Sequence, residues 1–358
     1  MNWLHRPDPV RPGERSRLSG AHLAIRAPNW VGDLVMATPI LSAAVRDGRP
    51  ARVSILVRER LTGVLDGGEL EPHLVPMPSG GARERSIYRD LAPDIALLLT
   101  NSAGAALRAA LARVPVRAGS ALSGRGALLT HRVVPPTRAG RRVPIPTAHL
   151  MADVAGLVGL HPPGLHPVLE VDRASAARVR DFQRGPGPRE FVVCCPGAAF
   201  GAAKLWPLDH FATALAEIHR IHGWETVLLG APGERALLEE LAARLPGIAH
   251  LPPAESAGLS LSKAFIREAR LVLVGDSGPR WIAAAFDVPC VCVMGPNFPE
   301  LTATSLERCE VVRLDELECA PCLERRCPLG HHRCLAELPV ERVLAAVARV
   351  LVGPGVAR

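Results

Sequence analysis

The sequence is poor in several residue types, and each shortage excludes a class of protein. Nine cysteines in 358 residues are far too few for a disulfide scaffold. No apolar run reaches the roughly 18 residues of a membrane-spanning helix, so we expect no transmembrane segment. The first 20 residues lack the apolar core of a secretory signal. These shortages favour a cytoplasmic protein whose thiols are mostly reduced.

Lysine is nearly absent, since only Lys204 and Lys263 occur among 42 basic residues. A lysine retained in so arginine-rich a chain indicates a position that needs a compact charge. Residues 1–150 hold 21 basic and 11 acidic side chains, whereas residues 151–358 hold 21 and 24. The excess of basic over acidic side chains in the first half predicts an anionic partner there, and a solvated arginine-rich surface is the alternative.

Nucleic acid is one such partner, but aromatic residues make up only 4% of the chain. No nucleic-acid-binding motif is recognisable either. We therefore expect no nucleic-acid partner, and salt-sensitive binding to DNA or RNA would be needed to revive that alternative.

Apolar segments alternate with helical patterns along the chain, which predicts βαβ units. Segments rich in proline and glycine, 161–168 and 184–190, bracket a domain connection. The sequence therefore predicts an α/β protein of two doubly wound domains facing across a cleft. The predicted strands are 21–27, 52–57, 93–100, 191–197, 225–230, 271–276 and 289–295.

The candidate functional residues come directly after predicted strands, where doubly wound sheets bind ligands. In segment 27–33, Gly32 allows a close backbone approach, and Asp33 is either a general base or merely a residue at a helix start. In segment 195–207, small residues expose backbone amides to phosphate, and Lys204 adds a charge. The alternative for that segment is a flexible loop with a surface lysine.

Two further segments suit a nucleotide. In segment 275–279, Ser277 is predicted to cap a helix that starts at Pro279, and the free amides suit an anion. Structural capping alone is the alternative. In segment 230–234, the Glu234 carboxylate suits ribose hydroxyls. The sequence contains neither a P-loop nor the dinucleotide fingerprint, which argues against a nicotinamide-dependent dehydrogenase.

The cysteine-rich segment, residues 319–334, is the last feature of note. Its four thiols fit a zinc site, reduced cysteines, or a conditional disulfide. The spacings match no common zinc module. The four residues are Cys319, Cys322, Cys327 and Cys334.

Taken in order, these segments resemble glycosyltransferase family 9, the ADP-heptose:lipopolysaccharide heptosyltransferases. The segment around Asp33 looks like that of the heptosyltransferase II branch. The resemblance extends over about residues 21–350. It is carried by Trp30-Val31-Gly32-Asp33 with Met36-Ala37-Thr38-Pro39, by Pro196-Gly197-Ala198 with Lys204-Leu205-Trp206-Pro207, by Asp276-Ser277-Gly278-Pro279-Arg280 with Ile282-Ala283-Ala284-Ala285 and Gly295-Pro296, and by the cysteine-rich segment.

The resemblance implies a GT-B fold of two Rossmann-like domains. It places an acceptor domain at 21–170 and a nucleotide-sugar domain at 171–350, which includes the cysteine-rich segment. Residues 1–20 are then a flexible extension and residues 351–358 a tail.

The implied activity is an inverting, metal-independent transfer of heptose from ADP-heptose to the inner core of lipopolysaccharide. No cofactor is required, because the ADP-sugar is itself the donor substrate. The alternatives are a family member that uses another nucleotide sugar or acceptor, and a degenerate, non-catalytic member.

The resemblance also assigns roles to individual residues. Asp33 is the expected base, and Lys204 stabilises the diphosphate leaving group. The residues expected at the donor are Gly197, Ala198, Lys204, Glu234, Asp276, Ser277, Gly278, Pro279 and Trp281, and those at the acceptor are Asn29, Trp30 and Gly32.

One position departs from the family pattern. Trp281 stands where the family usually has histidine, which puts strict ADP-heptose specificity in doubt. An indole there either stacks on a sugar or packs into the interior.

The implied acceptor is the anionic lipopolysaccharide core at the inner leaflet of the inner membrane. That acceptor agrees with the basic first half of the chain. The expected localisation is cytoplasmic, with peripheral attachment to that leaflet.

Overall fold

The computed structural model of the protein describes residues 18–78, 80–138, 141–185, 187–253 and 258–352. The predicted extension, 1–20, and tail, 351–358, therefore lie almost entirely outside the described residues. The chain divides after Glu170 into two compact units, and the short segment Glu300–Thr304 groups with the first of them.

The first unit alternates strands and helices, as the apolar pattern predicts. A separate antiparallel pair, β7 (Thr137–Arg138) and β8 (Arg141–Arg142), follows the main sheet. The main elements are β1 (His22–Arg26), α1 (Val31–Arg46), β2 (Arg52–Arg58), β3 (Leu74–Met77), α2 (Gly81–Leu91), β4 (Ile95–Leu98), α3 (Ala103–Leu111), β5 (Val116–Ser120), β6 (His131–Val133) and α4 (Thr147–Gly156).

The sheet of the first unit has the order β3-β2-β1-β4-β5-β6, and every neighbouring pair is parallel. All four residues of β4 are buried, as expected of a strand covered on both faces. This is the strand order of a Rossmann-type sheet, and it reverses between β1 and β4.

A cluster of charged side chains lies at the carboxyl ends of β1 and β2. Arg26, at the end of β1, donates through Nε to Glu84 Oε1 at 2.9 Å, and both side chains are fully buried. Arg58 and Arg108 lie 3.3 and 3.4 Å from the other oxygen of Glu84. One carboxylate therefore holds three guanidinium groups together, and removing it would leave a buried positive charge unpaired.

The second unit repeats the architecture of the first. Its six strands form a parallel sheet in the order β11-β10-β9-β12-β13-β14. The elements are α5 (Arg173–Arg184), β9 (Phe191–Cys195), α6 (Leu208–His222), β10 (Glu225–Leu228), α7 (Arg235–Ala243), β11 (Ala249–His250), α8 (Leu259–Glu268), β12 (Leu271–Gly275), α9 (Pro279–Ala285), β13 (Cys290–Val293), β14 (Cys309–Val312), α10 (Arg333–Ala336) and α11 (Val340–Val352).

The core of the second unit lies between its sheet and helices α6 and α11. The large buried side chains Trp206 and Phe211 pack there, with ring centroids 4.9 Å apart in an edge-to-face arrangement. Both sheets have the reversing strand order of doubly wound folds, so the predicted fold class is confirmed.

The helices of both units are modest in length. The longest within the described ranges, α1, has 16 residues. Over those ranges, no helix is long and apolar enough to cross a lipid bilayer.

Candidate active site

Three of the predicted segments lie where a strand order reverses. Segment 27–33 follows β1, and segments 195–207 and 275–279 follow β9 and β12. Such reversal points are where doubly wound sheets bind ligands beyond the carboxyl ends of their strands. The fourth segment, 230–234, follows β10, which is the neighbour of β9.

Lys204 and Asp276 form an ion pair across the reversal point of the second unit. Lys204 Nζ lies 2.5 Å from Asp276 Oδ2, and the two side chains are only 11% and 8% exposed. Asn297 Nδ2 donates to the same carboxylate oxygen at 2.8 Å. The ammonium predicted to bind phosphate is therefore already paired, and an incoming anion must share it with Asp276.

The loop that carries Lys204 is compact. Ala198 accepts a hydrogen bond from the Gly201 amide at 3.2 Å, which closes a turn before the short 3₁₀ helix Ala202–Lys204. The Lys204 ammonium lies 4.7 Å from the centroid of the Phe200 ring, a cation–π contact. The Phe200 ring of the loop and the Asp276 carboxylate therefore both contact the Lys204 ammonium.

Glu234 lies against this loop. Its carboxylate accepts from the Ala231 amide at 2.8 Å, and a Cβ at Gly197 would collide with it. Burial raises the pKa of the Cys195 thiol, and the negative charge of Glu234 adds to the effect. The structure thus brings Glu234 beside Gly197, as expected if both contact one nucleotide.

An apolar cavity of about 190 Å³ is lined in part by residues 230–232, which belong to the same segment as Glu234. Leu228, the last residue of β10, lines it. The guanidinium of Arg235, another lining residue, donates to the Pro252 carbonyl at 3.1 Å. An apolar cleft with a few polar groups at its edge is typical of a small-molecule site. The cavity is lined by Leu228, Leu229, Gly230, Ala231, Pro232, Arg235, Leu238, Pro252, Pro253, Leu261, Ser262 and Phe265.

The prediction that Ser277 caps α9 is wrong. Helix α9 begins at Pro279 as predicted, but its N-terminal cap is Gly278, and no side chain caps it. The Ser277 Oγ is buried and has no hydrogen-bond partner among the described residues. A buried hydroxyl is costly to leave unpaired, and one at the carboxyl end of β12 suits a ligand oxygen.

Trp281 lies in the interior of the second unit. The indole is only 4% exposed, and the Arg280 guanidinium carbon lies 4.3 Å from its ring centroid. Of the two expectations for Trp281, the structure shows packing into the interior, and little of the indole surface is left for a sugar.

The Arg280 side chain forms a hydrogen bond with a buried cysteine. The Arg280 Nε donates to the Cys309 Sγ at 3.3 Å, and both residues are buried. A hydrogen bond with Cys290 and the Arg280 charge lower the pKa of the Cys309 thiol to about 7, although burial opposes them. The Arg280 charge thus favours the thiolate form of Cys309.

In the first unit, hydrogen bonds hold Asn29 across the reversal point. Its Oδ1 accepts from Arg26 Nη2 at 2.7 Å, and its Nδ2 donates to Thr100 Oγ1 at 3.2 Å. Arg60 donates to its carbonyl at 2.7 Å. Since Arg26 is also held by Glu84, the buried charge cluster fixes the loop that leads into α1.

The candidate base follows that loop. Trp30 is the extended N-cap residue of α1, and its side chain is 44% exposed. Gly32 and the half-buried Asp33 lie in the first turn of the helix. A carboxylate at this position is stabilised in its ionised form by the helix N-terminus, which is the form that accepts a proton.

The four thiols of the cysteine-rich segment are unbridged. Within the described ranges, no group of three or more metal-binding side chains is arranged to hold a metal ion. Burial raises the pKa of Cys334, and its three neighbouring thiols add to the effect. The His332 backbone amide, 3.4 Å from the Cys327 sulfur, lowers the pKa of that thiol.

Sequence reasoning missed the partners that hold these residues. Asn297 follows β13 and could have been found as a polar residue after a strand. Glu84 lies within α2 and not directly after a strand in the sequence, and nothing in its local sequence indicates three arginine partners.

Comparison with known proteins agrees with this architecture. The sequence model of glycosyltransferase family 9 (heptosyltransferase) matches residues 87–333. The chain is 26% identical over 355 residues to lipopolysaccharide heptosyltransferase 2 of Salmonella typhimurium, and the alignment covers 93% of this chain and 99% of that protein.

Solved structures match along nearly the whole chain as well. A family 9 glycosyltransferase of Veillonella parvula superposes with a TM-score of 0.77 at 17% identity, covering 94% of this chain and 98% of its own. ADP-heptose lipopolysaccharide heptosyltransferase II of Escherichia coli superposes with a TM-score of 0.73 at 24% identity, covering 92% and 98%. Because the family's sequence model spans most of the chain and the fold agrees, this protein belongs to glycosyltransferase family 9 (heptosyltransferase) and is a glycosyltransferase of the GT-B fold.

Proposed function

We propose that the protein transfers a heptose from ADP-heptose to the inner core of lipopolysaccharide, with inversion at the anomeric carbon. The proposal is supported by relatives named as lipopolysaccharide heptosyltransferases, such as that of Salmonella typhimurium, and by the similar structure of the ADP-heptose lipopolysaccharide heptosyltransferase II of Escherichia coli. The observation that carries it is the row of nucleotide-suited features after β10, β9 and β12 of the second unit.

The adenine, the ribose and the diphosphate of the donor each match one of these features. The apolar cavity accepts the adenine, and Glu234 of segment 230–234 accepts hydrogen bonds from ribose hydroxyls. The diphosphate then meets the Gly197–Ala198 amides, the Lys204 ammonium and the unpartnered Ser277 hydroxyl. Amides, a hydroxyl and an ammonium are the donors that phosphate oxygens need.

Asp33 supplies the proton transfer. Its carboxylate removes the proton from the acceptor hydroxyl while that oxygen forms a bond to the anomeric carbon. The bond between that carbon and the diphosphate oxygen breaks, and its electron pair leaves with ADP. Attack from the opposite face inverts the configuration, and the proton on Asp33 passes to solvent.

Lys204 stabilises the departing ADP. Negative charge grows on the bridging oxygen as the bond breaks, and an ammonium held by Asp276 and the Phe200 ring is oriented before reaction. Such preorganised charge lowers the barrier because nothing must reorient at the moment of reaction. We infer that turnover needs no metal ion, and undiminished turnover in EDTA is the expected result.

The acceptor site is proposed for the first unit. Asn29, Trp30 and Gly32 directly precede Asp33 in the sequence, and the exposed indole offers a face for a sugar ring. Residues 101–150 hold eight arginines and no acid, which suits a phosphorylated acceptor. We propose that the protein acts in the cytoplasm, at the inner leaflet of the inner membrane that carries this acceptor.

Calorimetric titration with ADP, UDP and GDP tests the donor class without the acceptor. We expect ADP to bind at least about tenfold more tightly than UDP and GDP, because the cavity selects the base. Tighter binding of UDP or GDP would instead favour the alternative, a family member that uses another nucleotide sugar. Absence of binding for all three would favour a degenerate member.

A further inference from the structure

The charges at the proposed diphosphate site do not balance. Lys204 is paired with Asp276 at 2.5 Å, so the pair contributes almost no net positive charge. The diphosphate of ADP carries more than one negative charge. Recognition of such an anion in a partly buried site needs further cationic donors, of which arginine is the best suited.

Arg325 of the cysteine-rich segment and Lys204 lie against the same aromatic ring. The Arg325 guanidinium carbon is 5.3 Å from the centroid of the Phe200 ring, whose other cationic neighbour is Lys204. The Arg325 side chain is exposed and makes no ion pair or hydrogen bond with any described residue. A guanidinium held by a ring and free of carboxylates remains available to an anion.

Backbone contacts fix the position of Arg325. The Ala203 amide donates to the Arg325 carbonyl at 3.1 Å, and His332 Nε2 donates to the Ala203 carbonyl at 2.9 Å. Gly201, at φ +150°, allows this approach, because a Cβ there would collide with the Arg325 carbonyl. The cysteine-rich segment is therefore docked directly on the loop that carries Lys204.

The same segment also contacts the loop that holds Asp276. The Cys322 and Leu323 amides donate to the Pro296 carbonyl at 3.1 and 2.8 Å. The next residue, Asn297, donates to Asp276. The segment thus joins both loops at the reversal point of the second unit.

We propose that Arg325 binds the diphosphate of the nucleotide beside Lys204, and that the cysteine-rich segment is the scaffold that places it there. The inference rests on the proposed function, since it assumes a nucleoside diphosphate at this site. Lys204 then supplies a compact charge and Arg325 a planar fork for two phosphate oxygens. This gives a role to a segment that the proposed reaction otherwise leaves unused.

The test is calorimetric titration of the full chain with ADP, AMP and adenosine. Arg325→Ala is expected to weaken ADP binding about ten- to hundredfold, AMP binding less, and adenosine binding not at all. Arg325→Lys is expected to recover part of the ADP affinity. Arg326→Ala, a neighbouring exposed arginine, is the matched control and is expected to bind ADP within twofold of the wild type.

Two results would overturn the inference while leaving the proposed function intact. One is wild-type binding of ADP by Arg325→Ala. The other is an equal loss for ADP, AMP and adenosine, which would show that the side chain only supports the loop. Failure of the wild-type chain to bind ADP would instead overturn the proposed function, and this inference with it.

Discussion

The Lys204 ammonium and the Asp276 carboxylate lie 2.5 Å apart, each almost buried, at the point where the strand order of the second unit reverses. The lysine is thereby oriented, but its charge is offset until an anion competes for it. The pair therefore stabilises the unliganded fold and lowers the affinity of Lys204 for an anion.

Asp276→Asn should separate these two effects. The substitution leaves the Lys204 charge partly buried and unpaired, so we expect the unfolding free energy to fall by about 3 kcal/mol. ADP should bind more tightly than to the wild type, because it no longer competes with a carboxylate. Denaturant unfolding and calorimetry measure the two quantities, and Asp209→Asn, in an exposed ion pair, is the control. Weaker ADP binding would show that Asp276 itself contacts the nucleotide.

Glu84→Gln should destabilise the first unit strongly. The fully buried carboxylate holds three arginines, and the amide leaves the Arg26 charge without a counter-ion. We expect a loss of about 3–5 kcal/mol in denaturant unfolding. Glu217→Gln removes an exposed pair with Arg220 and should leave the free energy of unfolding nearly unchanged, because solvent screens such a pair. Equal effects of the two substitutions would contradict the importance of the buried cluster.

Trp281 and Trp30 should respond in opposite ways to substitution. Trp281→Phe removes part of a buried indole, so we expect a loss of about 1–2 kcal/mol in stability and an ADP-heptose affinity within twofold of the wild type. Trp30→Phe alters an exposed ring and should leave stability unchanged while raising the KM for the acceptor. A tenfold loss of donor affinity in Trp281→Phe would place the indole at the sugar after all.

The ionisation of Cys309 predicts a pH dependence of stability. The folded-state pKa is lowered to about 7, below the roughly 8.5 of an exposed thiol. Between these two pKa values the unfolded state binds more protons than the folded state. The contribution of Cys309 to the free energy of unfolding therefore rises with pH over this range, and it is lost as the pH falls through 7. Under reducing conditions, the stability of wild type relative to Cys309→Ser should increase by about 1 kcal/mol from pH 6.5 to 8.5. Parallel pH profiles would contradict an ionised Cys309.

The fold was largely predictable from the sequence, because its signals are local. The apolar run around Ile95–Leu98 marks a buried parallel strand, and the residues after such strands must meet at one sheet edge. That reasoning located Asp33, Lys204, Glu234 and Ser277 at strand ends.

The partners of those residues were not predictable, because they depend on contacts between distant segments. Asp276 is 72 residues from Lys204, and no local pattern encodes their ion pair. The capping role given to Ser277 was wrong for a related reason. Capping is a local preference, and here Gly278 is the N-cap residue of α9, no side chain caps the helix, and the Ser277 hydroxyl has no partner among the described residues.

The central claim is that Asp33 is the base of a heptose transfer from ADP-heptose. The most direct test compares wild type, Asp33→Asn and the control Asp47→Asn, at the other end of α1, for transfer of heptose to a lipopolysaccharide inner-core acceptor. We expect Asp33→Asn to lose at least about a hundredfold in kcat while binding ADP as tightly as the wild type, and Asp47→Asn to retain activity. Normal turnover by Asp33→Asn, or no heptose transfer by the wild-type protein, would contradict the account.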